Sequence, residues 1–311
     1  MMKKGLIIVF LVCTWQVTYG VDERIFVQIG GIQQHLWIKG SSVESPVLLF
    51  FHGGPGNSMM GYAHKFCSRL YDKFVVVHWD QRNSGQTLQK NEDTGKMTVD
   101  RFEADAVEVI SYLQGRFHRD RIFIAGHSWG GFLALLVAGR HPELLSGCFA
   151  VCPMVNQLES EQRTLEEMRQ KLGNDRDTLA LRELSTVEVP FENGEQLYAD
   201  RKWISLMEGR TPGFSRQYVS DWSRRWLDLF NEASRFNLVT EFPVIKCPVV
   251  FFVGRRDQQT RATITEFYFN GLNAKYKQLH WFEKSGHQVP TQEPQKFQEL
   301  IEQELLSIKS K

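Results

Sequence analysis

Three polar side chains stand where apolar runs break off. Ser128 lies in "GHSWGG" (Gly126–Gly131), Asp257 in "VGRRD" and His287 in "SGH". A serine hydroxyl is a weak nucleophile until a base takes its proton, and that base needs an acid to fix its tautomer. The G-x-S-x-G spacing alone is weak in a glycine-rich chain, so its setting decides. It follows the apolar run "RIFIAGHS" directly and opens an apolar helical stretch. In that arrangement a sharp bend lifts a serine above the end of a sheet, and the acid and the histidine follow in chain order after later strands. Asp257 follows the run ending at Gly254, and His287 the run ending near Phe282. The expected triad is therefore Ser128, Asp257 and His287, a set for acyl transfer to the serine and then to water. Asp80 in "WDQRNSG" is the rival acid, but it precedes the serine and sits beside Arg82. His127 precedes the serine on its strand and is expected to point away from it.

Acyl transfer also needs donors for a tetrahedral oxyanion. "HGGPG" (His52–Gly56) ends an apolar run at the place where such a loop belongs, which makes the backbone N–H groups of Gly54 and Trp129 the expected pair. Pro55 has no N–H to give.

The elements that must position these groups follow from periodicity. "RIFVQIGG" and "HLWIK" read as an opening hairpin. "PVLLFFHGG", "KFVVVHWD", "RIFIAGHS", "LLSGCFAVCP", "CPVVFFVGRRD" and "YKQLHWFEKSGH" have the continuous apolarity of strands covered on both faces. Helical spacing covers 101–117, 132–139, 261–270 and 294–308. Such alternation predicts an α/β architecture with a mostly parallel sheet and helices on both faces. The rhythm breaks over 153–243, a charge-rich stretch of helix formers with Trp203, Trp222 and Trp226. It is expected to be a helical cap over one end of the sheet, with residues 21–152 and 244–311 as the core.

A net charge of +1 in 311 residues gives no electrostatic ground for nucleic acid or an anionic membrane. Lys3 and Lys4 before the apolar stretch Leu6–Cys13, with Thr18 and Gly20 small, predict a signal peptide over residues 1–20 cleaved after Gly20, and hence an exported protein, periplasmic or extracellular. The apolar stretch is much shorter than the about 20 residues of a membrane span. Lipid anchoring through Cys13 ranks lower, because Val12 is bulky. Of the remaining cysteines, Cys148 and Cys152 would stand about 13 Å apart along a strand and could not pair. Buried free thiols are expected for them, Cys67 and Cys247, with a bridge to Cys67 or Cys247 as the alternative. No closely spaced metal-ligand cluster is read from the sequence, and the triad needs no cofactor.

Together "HGGPG", "DQRNSG", "GHSWGG", "VGRRD" and "SGH" resemble the proline iminopeptidase branch of the α/β-hydrolase superfamily, peptidase family S33. The resemblance implies an eight-stranded sheet, a helical cap, and a pocket in which glutamates bind the free amine of an N-terminal residue. It departs from the family's pattern at Asn83 and at "DWSRRWLD" in the cap. No cap acid is singled out: Glu159, Glu161, Glu166, Glu167 and Asp228 are all candidates. The expected activity is a serine aminopeptidase acting on short peptides. The alternative is an esterase or amidase for uncharged acyl groups, with Trp203, Trp222 and Trp226 lining an apolar pocket, and a third class is a ligand-binding protein that keeps the triad. The sequence does not give the oligomeric state.

Overall fold

The computed structural model describes residues 19–92, 95–174 and 177–309. The expected signal segment up to residue 18, with Cys13, lies outside them. Among the described residues, no helix is long and apolar enough to cross a membrane.

One eight-stranded sheet organises the chain. Its strands are β1 (Val21–Ile29), β2 (Ile32–Gly40), β3 (Val47–Phe51), β4 (Val75–Asp80), β5 (Ile122–His127), β6 (Leu145–Val151), β7 (Val249–Gly254) and β8 (Lys277–Phe282). The spatial order is β1, β2, β4, β3, β5, β6, β7, β8. The β1–β2 hairpin and the β2–β4 pair are antiparallel, and every later pair is parallel. The longer helices are α1 (Val99–Phe117), α2 (Trp129–Arg140), α3 (Gln157–Asn174), α4 (Thr178–Leu184), α5 (Gly194–Met207), α6 (Arg216–Ser234), α7 (Ala262–Gly271) and α8 (Pro294–Lys309).

β3, β4 and β7 are buried along their whole length, as strands covered on both faces must be. Their side chains alternate between two cores. Val47, Leu49 and Phe51 join the apolar faces of α1 and α2, while Leu48 and Phe50 meet Phe66 and Phe297 from the other side. Each fully buried side chain of this kind stabilises by about 1.5–3 kcal/mol. Packing, not the few hydrogen bonds of a site, therefore fixes the strand ends. The hairpin, the strands and the helices fall where the apolar spacing puts them, give or take a few terminal residues.

Helices α3 to α6 lie between β6 and β7. Leu165, Met168, Leu172, Trp226 and Phe230 turn inward to the first core, whereas Arg163, Glu166, Arg224 and Asp228 face solvent, an amphipathic division. The segment is bound over the strand ends from both sides. Trp222 Nε1–H donates to the Pro55 carbonyl at 2.8 Å and the Tyr218 hydroxyl to Asn57 Oδ1 at 2.9 Å. Gln157 and Thr164 donate to the carbonyls of Gln259 and Gln258, each at 2.9 Å. Cys67, Cys148, Cys152 and Cys247 are buried free thiols.

Candidate active site

Ser128 sits between β5 and α2 with φ 58° and ψ −118°, a conformation costly for any residue with a Cβ. The surroundings impose it. A Cβ on Gly126 would run into the Gly130 carbonyl, and one on Gly130 into the Phe51 carbonyl. Only glycines let α2 leave directly above β5. Ser128 is pinned further, its N–H donating to the Val151 carbonyl at 2.9 Å and its carbonyl accepting from Phe132 N–H at 3.0 Å.

Asp257 occupies the turn after β7. Its Oδ1 accepts the backbone N–H groups of Gln259 and Thr260 at 2.9 and 3.1 Å. Its Oδ2 accepts the Thr260 hydroxyl at 2.8 Å and faces His287 Nδ1 at 2.9 Å. Burial opposes ionisation of this carboxyl, but the facing histidine and these donors outweigh it and hold Asp257 well below the usual carboxylate range. A carboxylate here requires the proton on Nδ1, which leaves the Nε2 lone pair of His287 free to accept. Ser128 and His287 line one cavity of about 420 Å³. Among the described residues their side chains share no hydrogen bond; such contacts commonly tighten only when substrate is bound.

The backbone N–H groups of Gly54 and Trp129 meet no acceptor among the described residues, the state required of donors reserved for an oxyanion. Gly54 has φ 115° and lines the cavity. The Trp129 ring is fully buried, with Nε1–H on Gln81 Oε1 at 3.0 Å. Its backbone N–H opens α2, at the positive end of the helix dipole.

Of the three tryptophans expected at the pocket, Trp222 lines it. Trp203 and Trp226 do not. The Trp203 indole donates to Glu183 at 2.8 Å, and Trp226 packs on Gly56 and on the Phe102 ring, 6.2 Å away. Trp203 thus joins two helices of the segment, and Trp226 fixes the segment to the core. The apolar wall is instead Leu197, Ile204, Phe214, Val219, Trp222 and Phe230. Asp80 is also resolved: it accepts from Ser58 and from the Gln86 N–H, with His35 Nδ1 at 3.1 Å. Arg82 pairs not with it but with Asp105, at 2.8 Å.

Of the five acids the sequence offers, Glu166, Glu167 and Asp228 are exposed, Glu159 pairs with Arg163, and Glu161 is buried. Arg201 grips Glu161 with both terminal guanidinium nitrogens and reaches Asp200 as well. Burial, then Glu161, raises the Asp200 carboxyl to about 7 against the pull of Arg201. Glu208, not picked out by sequence, pairs with Arg210 and has a buried Oε1 without a hydrogen-bond partner. A Cβ on Gly286 would lie 3.3 Å from its carboxylate, which puts Glu208 beside the histidine loop. His127 does not point away: its ring is 4.9 Å from that of His287, and it lines the cavity. Sequence also gave no sign that Cys152, Asp257 and His287 hold ligand-type atoms within 4.8 Å of one another. Burial and Asp257 push the Cys152 thiol up; it stays protonated, a poor metal ligand and nucleophile.

The family model described as serine aminopeptidase, S33, matches residues 44–295, from before β3 into α8 and across Gly54, Ser128, Trp129, Asp257 and His287. The chain belongs to the S33 serine aminopeptidase family. This S33 protein is 31% identical over 292 residues to a probable aminopeptidase, YbaC, of Bacillus subtilis, covering 86% of this chain and 92% of the relative. It is 26% identical over 283 residues to a proline iminopeptidase of Heyndrickxia coagulans, covering 85% and 91%. The crystal structure of a proline iminopeptidase from Mycobacterium smegmatis superposes with a TM-score of 0.67 at 17% identity, covering 92% of this chain and 98% of that one. Fold and family together make it an α/β-hydrolase of the proline iminopeptidase type.

Proposed function

We propose that this hydrolase is an exported serine aminopeptidase that releases N-terminal residues from short peptides through an acyl-enzyme on Ser128. The observation that carries the chemistry is the Asp257–His287 pair at 2.9 Å, with His287 and Ser128 in the wall of one cavity. His287 takes the serine proton as general base and returns it to the leaving amine as general acid. Asp257 fixes the tautomer, and Gly54 and Trp129 donate to the oxyanion. The cavity volume is at the small end of the range for ligand pockets, a size for a short peptide under a cap formed by α3 to α6.

An amine needs a carboxylate to replace its hydration. Glu208 is the candidate for that task. It does not itself line the cavity, but it pairs with Arg210, which does. Its Oε1 has no hydrogen-bond partner, and its carboxylate stands beside the loop of His287. One observation favours the second reading, an esterase or amidase on uncharged acyl groups. The charged side chains on the cavity wall, apart from the histidines, are Arg201 and Arg210. The test compares proline and alanine arylamides, their N-blocked forms and a short-chain aryl ester, with Ser128→Ala as blank. Arylamide cleavage that disappears on blocking establishes the aminopeptidase. Ester cleavage indifferent to an amine establishes the alternative.

A further inference from the structure

The two ends of the proposed proton transfer belong to distant strands. β5 ends at His127 and leads into Ser128, whereas His287 follows β8, with β6 and β7 between them. Neighbouring strands stand about 4.8 Å apart, so the histidine loop crosses about 14 Å of sheet edge to reach the serine. Its rear is held by residues before α8: Ser285 Oγ–H donates to Glu293 at 2.7 Å, and Gly286 N–H to Gln292 at 2.9 Å. Among the described residues one hydrogen bond joins its front to the serine's own strand, where His127 Nε2 lies 2.7 Å from the carbonyl oxygen of His287.

A carbonyl oxygen only accepts, so His127 carries a proton on Nε2. Burial and the neighbouring His287 pull its pKa down to about 4, which keeps it a neutral donor at physiological pH. The two rings meet at 4.9 Å and 43°, so the His127 ring also forms a wall for the catalytic imidazole. The bond joins the backbone of the base to the residue preceding the nucleophile. We propose that His127 is a positioning residue: it ties the His287 carbonyl to the serine strand and so sets the distance over which the base reaches the hydroxyl. This rests on the reading of Ser128 and His287 as nucleophile and base.

The scale of the effect follows from alignment. A displacement of about 1 Å in a reacting group costs on the order of 100-fold in rate, while a pocket that still binds leaves KM unchanged. The experiment measures kcat and KM of the full chain and its His127→Phe, His127→Gln and His127→Asn variants on an arylamide or aryl ester that the wild type cleaves, with thermal unfolding alongside. The glutamine amide nitrogen reaches the place of Nε2; that of asparagine stops near Nδ1. The expected result is a kcat about 10- to 100-fold lower for Phe and Asn with KM within about twofold, and recovery of most of the rate by Gln. Wild-type kcat in His127→Phe overturns the proposal. So does a Gln variant as slow as Asn with the same unfolding midpoint, a comparison that decides even if the Phe variant fails to fold. Ser128→Ala separates the two claims. If it is inactive and His127→Phe is not slowed, the tie alone falls; if it is as active as wild type, the reading of the site falls and takes the tie with it.

Discussion

Replacing Asp257 by asparagine changes one atom, and the structure dictates which way the new amide must face. Two backbone N–H groups, from Gln259 and Thr260, point at Oδ1. They require an acceptor, so the amide oxygen stays there and the NH₂ takes the place of Oδ2. That group now donates to His287 Nδ1, which must become the acceptor, and the ring proton moves to Nε2. An imidazole protonated on Nε2 cannot take the proton of Ser128. Thr260 does not resist the exchange, since its hydroxyl also has the Cys152 carbonyl to donate to, at 3.2 Å. The expected loss in kcat is about 10⁴-fold, the size seen when a triad holds the wrong tautomer, equivalent to about 5.5 kcal/mol of barrier. The fold should be unchanged because no backbone donor is orphaned. The assay is kcat on the best arylamide or ester, with circular dichroism of the same sample. An Asp257→Asn enzyme within tenfold of wild type would refute the reasoning, since His287 would then be oriented by something other than this acid.

Glu208→Gln removes the charge proposed to hold the substrate amine. Charged hydrogen bonds contribute about 1.5–3 kcal/mol, so KM for a free-amine arylamide should rise about 10- to 100-fold while aryl ester cleavage stays level; equal losses on both substrates contradict that role. Asp200, raised to about 7, still holds its proton in the folded protein above about pH 4, where the unfolded chain has released it. Its contribution to stability is therefore full below that pH and lost as pH rises through 7. Asp200→Asn should accordingly gain in Tm relative to wild type between pH 5 and pH 8, and a difference that is the same at both would contradict the buried proton. Gly130→Ala drives a methyl group into the Phe51 carbonyl. Overpacking of this kind costs about 1–3 kcal/mol or more, and an unchanged unfolding midpoint would mean that the elbow has room the structure does not show.

The parts legible in the sequence are those where a local rule acts. Continuous apolar runs became strands with both faces covered, and the bend at Ser128 formed between a buried strand and a helix where Gly126 and Gly130 have no room for a Cβ. Chain order was enough to pick Asp257 over Asp80, since only an acid after a late strand stands beside His287. The pocket was less legible because the helical segment assembles it from packing. Trp203, Trp222 and Trp226 look alike as letters, yet only Trp222 faces the cavity, while Trp226 closes on Gly56. Glu208 and Glu161 resemble every other helix acid until burial separates them from Glu166 and Glu167. His127 misled for a physical reason. Strand alternation predicts a side chain facing away from Ser128, but the histidine loop arches over the end of β5 and brings His287 to that ring.

The central claim is that Ser128 is the nucleophile, and the measurement closest to it is covalent labelling. A fluorophosphonate should add once per chain, and its mass should appear on the tryptic peptide Ile122–Arg140, whose only hydroxyl side chain is that of Ser128. Labelling should vanish in Ser128→Ala and slow sharply in Asp257→Asn. A label on any other peptide, or full labelling of Ser128→Ala, would contradict the account.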